Sequence, residues 1–361
     1  MVKKLIRNPA GSKDWLPDEV VKQEYVKDKL VDLYELWGYQ PIQTPILINR
    51  DSLTIASSKL TNRALSLIGE TGNLLALRAD LTTPIARVTA ERLHGSKLPL
   101  RFYYVGKVFR YHARKMTNER ELFQIGVELI GKKEGNADLE CLKIFLDSLE
   151  KLGFNKYMVL ANHACLWSEL FKCFGNVARE LYKALSKNDL VLFENILLKS
   201  KLTLKEKAFW RALIKIKGKK EILSEIRKIS RKIRKFNVTK IISTFKKILD
   251  IDEKHVEIDL GMTNDIDYYS GIYFEAITPY LGRELGGGGR YDELIGKFGL
   301  DLPAIGFSFC LEDLLLALEN QGKQFPAFKT PSYVKSKGNI KKTFDKIAML
   351  HRKGKSATIQ L

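Results

Sequence analysis

Cysteine is scarce. Cys141, Cys165, Cys173 and Cys310 are the only four in 361 residues, and no two stand at C-x-x-C spacing. A zinc knuckle or a dithiol redox pair needs that spacing, so no metal and no redox chemistry is expected, and four reduced thiols are. Long apolar runs are missing as well. None approaches the roughly 20 residues of a membrane-crossing helix. The opening MVKKLIRNPAGSKDW lacks the apolar core of a signal peptide. The expectation is a cytoplasmic chain with no membrane partner and no cofactor. What is present is ordinary for a globular chain: 45% hydrophobic residues and a length suited to one large domain plus something smaller.

Acidic excess is also absent, and the net charge is +19. Its location is informative. Between Lys199 and Lys247 stand 18 Lys/Arg against 3 Glu, and between Lys329 and Leu361 stand 9 against the single Asp345, which leaves −4 for the rest. The positive charge therefore belongs to one internal segment and the tail. Such blocks bind nucleic acid or another polyanion, or form a solvated lysine-rich helical face. The solvated face is the favoured reading, with nucleic acid not expected as a partner.

Apolar Val21, Tyr25, Leu30, Leu33 and Trp37 recur at helical intervals after Pro17, which predicts a helix over 18–37. RFYYVGKVF at 101–109 and FQIGVELI at 123–130 read as strands, with 111–122 as a long hairpin loop between them. Asp138 to Leu152 reads as an amphipathic helix stopped by Gly153. Residues 163–250 read as a basic helical insertion. Strand patterns resume at 256–260, 268–277 and 304–309, the last leading into the helix LEDLLLALE. The expected division is 1–162 and 251–325 for the two parts of the main domain, 163–250 for the insertion, and 326–361 for a basic tail. The tail reads as linker, short helix and short strand, either a docking appendage or the remnant of a domain.

Several segments, in order, resemble the class II aminoacyl-tRNA synthetases, and specifically the histidyl family. NPAGSKDWLPDEV and WGYQPIQTP resemble the start of its catalytic domain, and LRADLTTPIAR at 77–87 its amino-acid-binding segment. GKVFRYHARKMTNERELFQIGVELIG at 106–131 resembles motif 2. DIDYYSGIYFEAI at 265–277 and GGGGRYDELIGKFG at 286–299 resemble its second histidine-recognition stretch, and AIGFSFCLEDLLLAL at 304–318 motif 3. The resemblance implies an α+β fold: a class II aminoacyl-tRNA synthetase-like antiparallel sheet flanked by helices, with a helical insertion.

The residues themselves suit a small zwitterion carrying an imidazole. Asp80 and Thr82, two apart, share a face if the segment is extended and can accept from an α-ammonium. Gln124 and Glu128, four apart on a strand, also share a face. A carboxylate there can accept from an imidazole N–H. Tyr268 and Tyr269 alternate, so at most one hydroxyl is expected in a given cavity. Gly286 to Gly289, which alone read as a turn, let backbone approach a flat ring. The resemblance implies that Asp80, Leu81, Thr82, Arg110, Gln124, Glu128, Tyr268 and Tyr269 line a histidine pocket.

The match fails where ATP would be handled. Arg110 corresponds to the motif 2 arginine. The arginine before the family's DYY sequence corresponds to Asn264, and the motif 3 arginine to Asp313. His112 and Ala113 replace a Glu and an Arg that help hold the nucleotide. Activation depends on preorganised cationic groups, and one lost donor already costs about 10²–10³ in rate. A carboxylate about 4 Å from a phosphate repels it by roughly 4 kcal/mol at an effective dielectric of 20. These departures, with no anticodon-binding domain recognisable after motif 3, resemble the regulatory subunits of short-form ATP phosphoribosyltransferase. That resemblance implies no catalytic residue of the chain's own, a catalytic partner chain, self-association up to a hetero-octamer, and L-histidine as effector. The alternatives are a divergent histidyl-tRNA synthetase and an RNA-binding or sensor protein on the same fold.

Overall fold

Pro17 has no amide hydrogen to lose and a φ already suited to a first helical turn, and the chain turns helical there. This helix, α1, runs Pro17–Leu36. Its buried seam is Val26, Leu30 and Tyr34; Val21, Tyr25, Leu33 and Trp37 stay partly exposed. The computed structural model describes residues 7–111, 119–231, 233, 236–263, 268–328, 330–336 and 338–360. The chain divides into two compact units, one of residues 1–13 and 26–323, the other of 14–25 and 324–361.

In the first unit, β1 (Gln40–Pro41) is followed by β2 (Leu47–Asn49), α2 (Arg50–Ala56), α3 (Ser58–Arg63), β3 (Ser66–Ile68), β4 (Leu74–Leu77) and α4 (Thr82–Arg92). The hairpin strands β5 (Leu100–Phe109) and β6 (Glu121–Ile130) precede α5 (Asn136–Leu152) and β7 (Met158–His163). Five helices and one short strand follow: α6 (Ala164–Ser186), α7 (Leu190–Lys199), α8 (Leu204–Leu213), β8 (Lys217–Gly218), α9 (Ile222–Ser230) and α10 (Thr239–Leu249). The unit closes with β9 (Val256–Asp259), β10 (Ile272–Thr278), β11 (Leu281–Arg290), β12 (Ala304–Cys310) and α11 (Leu311–Asn320).

Nine strands form one sheet in the order β1-β5-β6-β12-β11-β10-β7-β9-β8. The six from β5 to β7 are antiparallel; β1 with β5 and β7 with β9 are parallel pairs towards the margins. A separate three-stranded sheet runs β2-β4-β3. Helix α5 packs on one face of the large sheet through Phe145, whose ring stacks on Phe309 at 4.6 Å and meets Phe307 and Phe274 at 5.1 and 5.0 Å. Gly153, left-handed at φ 84°, ends that helix, a conformation that only glycine reaches at little cost.

Two expectations need correction here. The glycine run is not a turn: Gly286–Gly289 lie within β11, between β10 and β12. The strand expected over 268–277 begins only at Ile272. Register explains why glycines sit mid-sheet. Residues paired across strands share a face, so Glu128, Gly306, Gly289 and Tyr273 form one row, and Gly126, Ser308, Gly287 and Glu275 the next. Gly126, Gly306, Gly287 and Gly289 thus floor a trough on the face opposite α5. Gly286 and Gly288 point the other way, where a Cβ would meet Phe309 and Phe307 at 2.6 and 2.4 Å.

In the second unit, β13 (Ser332–Lys335) and β14 (Ala357–Gln360) pair in parallel, joined by α12 (Ile340–Arg352). Val334, Ile347 and Ala357 are its buried core, and Tyr25 meets Phe325 edge-on at 5.8 Å. β13 falls in the stretch expected as linker. No helix among the described residues is long and apolar enough to cross a membrane, and all four cysteines are free.

Candidate functional site

The trough ends against the N-terminus of α4. Leu81 takes the αR conformation just before Thr82 starts that helix, so the segment is not extended and Asp80 and Thr82 do not act as a side-by-side pair. Instead Asp80 Oδ2 accepts from the Thr83 amide at 3.2 Å and the Thr83 hydroxyl at 2.9 Å. This is local side chain to backbone bonding of the kind that starts helices. Its other oxygen, Oδ1, is buried and has no hydrogen-bond partner among the described residues. A buried carboxylate oxygen without a donor is costly unless something arrives to fill it. Burial raises the Asp80 carboxyl above its ordinary range, and the nearby Arg110 guanidinium opposes that shift. Arg110 itself donates from Nε to the Ala79 carbonyl.

Thr82 serves Glu128 rather than Asp80. Its hydroxyl donates to Glu128 Oε1 at 2.7 Å, and the Tyr291 hydroxyl donates to Glu128 Oε2. Glu128 is 1% exposed. Burial pushes its pKa up to about 8, against the hydrogen bonds from Tyr291 and Thr82. Gly306 makes this placement possible, since a Cβ there would lie 1.8 Å from Glu128 Oε2. Gln124, on the same face of β6, donates to the Ser308 hydroxyl at 3.4 Å.

Tyr268 and Tyr269 belong to one aromatic cluster. Tyr268 meets Tyr269 and Tyr291 edge-on at 5.6 and 5.8 Å, and Tyr269 lies parallel to Tyr273 at 6.1 Å. Each is close enough to Asp80 and Glu128 for those charges to raise its pKa further, beyond the shift that burial causes. They escape the alternation rule because they precede β10 instead of lying in it.

Sequence reading missed Tyr291 and Tyr104, whose hydroxyl lies over Gly126 and donates to the Phe307 carbonyl at 3.3 Å. Tyr291 sits two residues beyond Gly289, in phase with the trough glycines, and Tyr104 shares the phase of Phe102 on β5. That two-residue period was the available signal. Arg290, one residue out of phase, points to the other face and is held by Asp138 at 2.7 Å and Asp292 at 2.8 Å.

Asp313 is where the charge reasoning changes. The carboxylate is buried and paired with Arg283 of β11, whose Nε and Nη2 lie 2.8 and 2.5 Å away. It is therefore not a bare negative charge facing a nucleotide. Its neighbour Glu312 accepts from the Phe123 amide at 3.0 Å and fixes the first turn of α11 to β6. Asn264, His112 and Ala113 lie outside the described residues. No group of three His, Cys, Asp or Glu among the described residues is placed to hold a metal ion. An open cavity of about 660 Å³ is lined by Lys133, Cys165, Lys240 and Arg290, but by none of the residues around Asp80 and Glu128. Two of its charged groups, Lys240 and Glu134, are satisfied by each other at 2.6 Å.

Glu128 sets a pH dependence. The carboxyl titrates near 4.5 when free and near about 8 in the fold, so the folded chain holds the proton more tightly. Its contribution to stability is whole below pH 4.5 and is lost as pH rises through about 8, at up to about 1.4 kcal/mol per pH unit. Thermal melts at pH 6 and pH 9 should show the higher Tm at pH 6, and Glu128→Gln should narrow the gap. A gap unchanged in that variant contradicts the assignment.

Residues 11–314 match the family model described as Histidyl-tRNA synthetase. An ATP phosphoribosyltransferase regulatory subunit of Halothermothrix orenii is 32% identical over 331 residues, covering 90% of this chain and 79% of its own length. Its namesake in Desulforamulus reducens is 34% identical, with 86% and 78% covered. The crystal structure of an ATP phosphoribosyltransferase regulatory subunit/histidyl-tRNA synthetase from Bacillus halodurans is similar at a TM-score of 0.87 and 26% identity, covering 99% of this chain and 93% of that one. Histidyl-tRNA synthetase from Nostoc sp. shares the fold at a TM-score of 0.79 and 21% identity, with 99% of this chain and 86% of that one covered.

Proposed function

Since this chain belongs to the histidyl-tRNA synthetase family, and within it to the ATP phosphoribosyltransferase regulatory subunits, we propose that it is the non-catalytic regulatory subunit of an ATP phosphoribosyltransferase in histidine biosynthesis. It binds L-histidine in the trough and does no aminoacylation itself. The single observation that carries this is the open, buried Oδ1 of Asp80, at one end of a site whose other carboxylate is Glu128. An α-ammonium fits the first, and an imidazole N–H the second.

Among the described residues, the motif 3 side of the site makes no matching provision for a nucleotide. The guanidinium nearest the motif 3 position, Arg283, is committed to Asp313, and a committed cation gives little to a developing phosphate charge. The catalytic chemistry then belongs to a separate short-form chain, assembled with this one as a hetero-oligomer of up to four and four subunits. Histidine regulates it by binding one quaternary state better than another, which is the only way a ligand shifts such an equilibrium.

Arg110, retained at the motif 2 position, favours a second reading as a divergent synthetase. One experiment separates them. The isolated chain should show no histidine-dependent ATP–pyrophosphate exchange, and adding it to the short-form catalytic chain should raise phosphoribosyl transfer and make it sensitive to histidine. Exchange at synthetase rates, or no change in phosphoribosyl transfer, contradicts the regulatory reading.

A further inference from the structure

The helical insertion carries an apolar surface that the histidine site does not use. Helix α7 buries Phe193 and Leu197, while Val191 and Leu198, seven residues and about two turns apart, share its opposite side and are 74% and 60% exposed. Across the hairpin, Leu204 at the start of α8 is 86% exposed, and Ala208, one turn on, is exposed too. The two helices are tied by Arg211 to Glu194, with Nε at 3.1 and 3.0 Å from the two carboxylate oxygens, and by Lys207 Nζ to the Leu198 carbonyl at 3.0 Å. Single exposed leucines need no explanation, but several exposed apolar side chains on one hairpin, its helices cross-linked by these two contacts, point to an interaction surface.

Its charge is one-sided. Each carboxylate on the hairpin is engaged within it: Asp189 accepts from the Leu192 amide at 2.8 Å, Glu194 pairs with Arg211, and Glu206 accepts from the Thr203 amide at 2.8 Å. Lys199, Lys201 and Lys205, around the turn between the helices, are exposed and no carboxylate among the described residues pairs with them. An apolar strip on two antiparallel helices, rimmed by free ammonium groups, fits an amphipathic helix whose apolar face is bordered by Asp and Glu.

We propose that the outer face of the α7–α8 hairpin docks an acidic amphipathic helix of the catalytic partner chain. This rests on the reading of the chain as a regulatory subunit. The test measures binding of full-length variants to the short-form catalytic chain, with histidine affinity of the isolated variant as the check that the fold is intact. Val191→Asp with Leu198→Asp should weaken the complex at least tenfold. Lys199→Glu, Lys201→Glu and Lys205→Glu together should weaken it tenfold at low salt and flatten its salt dependence. Both should leave histidine affinity unchanged. Binding within twofold of the wild type in both variants overturns the proposal. So does a result in which the lysine variant loses only RNA binding, or the apolar variant changes only self-association. If the wild-type chain does not bind the catalytic chain at all, the regulatory reading fails first, and the docking proposal with it.

Discussion

Asp80→Asn is expected to abolish histidine binding at millimolar ligand while leaving the fold in place. The amide oxygen can still accept from the Thr83 amide and hydroxyl, as Oδ2 does now, so the start of α4 survives. The loss is the negative charge beside a buried α-ammonium, with the Arg110 guanidinium left uncompensated nearby. Breaking a buried charge pair from one side costs about 3–5 kcal/mol. At 1.4 kcal/mol per tenfold, that is about a hundredfold loss or more in affinity. Isothermal titration of wild type and variant reads it directly, and a variant that binds within fivefold of wild type places the α-ammonium elsewhere.

The second large effect is steric. Gly306→Ala puts a methyl 1.8 Å from Glu128 Oε2 and 2.4 Å from the Val127 carbonyl. The carboxylate could swing away only by giving up Thr82 and Tyr291, and the carbonyl belongs to a strand paired on both sides. Overpacking of this kind costs about 1–3 kcal/mol and sometimes more. With two clashes, one against backbone, the upper end or beyond is expected, together with loss of histidine binding. Gly282→Ala, where nothing lies within 4 Å of the added carbon, is the control and should fall within about 0.5 kcal/mol of wild type. Denaturant midpoints of the two variants give the comparison. Equal midpoints would mean that the trough floor is not as tightly built as described.

The contrast between these residues shows what a sequence reveals and what it hides. Strands β5, β6 and β12 and helix α5 were legible because side chains announce their period, and Gly153 marks the stop. β11 was not. A strand whose second half is four glycines and one arginine has no alternation to read there, and glycine is depleted from strands for lack of side-chain packing. Its role emerges only when register sets Gly287 and Gly289 beside Glu275 and Tyr273. The same holds for charge. The carboxylate at Asp313 was legible, but its partner Arg283 stands 30 residues earlier, in strand β11, and no local pattern foretells the pair. The pocket set Asp80, Arg110, Gln124, Glu128, Tyr268 and Tyr269 came from family resemblance. The geometry among them differs from the one expected: Thr82 serves Glu128, and Thr83 serves Asp80.

That difference alters the reason the proposed regulatory role gives for catalytic silence. On that proposal the barrier to ATP is a guanidinium already spent on a buried carboxylate, not an exposed negative charge. Histidine recognition and nucleotide handling would then have come apart on one sheet, with the first kept and the second tied up in structure.

Calorimetric titration of the isolated full chain, first with L-histidine and then with Mg²⁺·ATP added to the histidine-saturated protein, tests this separation most directly. Saturable heat with histidine and none with the nucleotide is the expected result. Saturable binding of Mg²⁺·ATP beside histidine, or no binding of histidine at all, would contradict it.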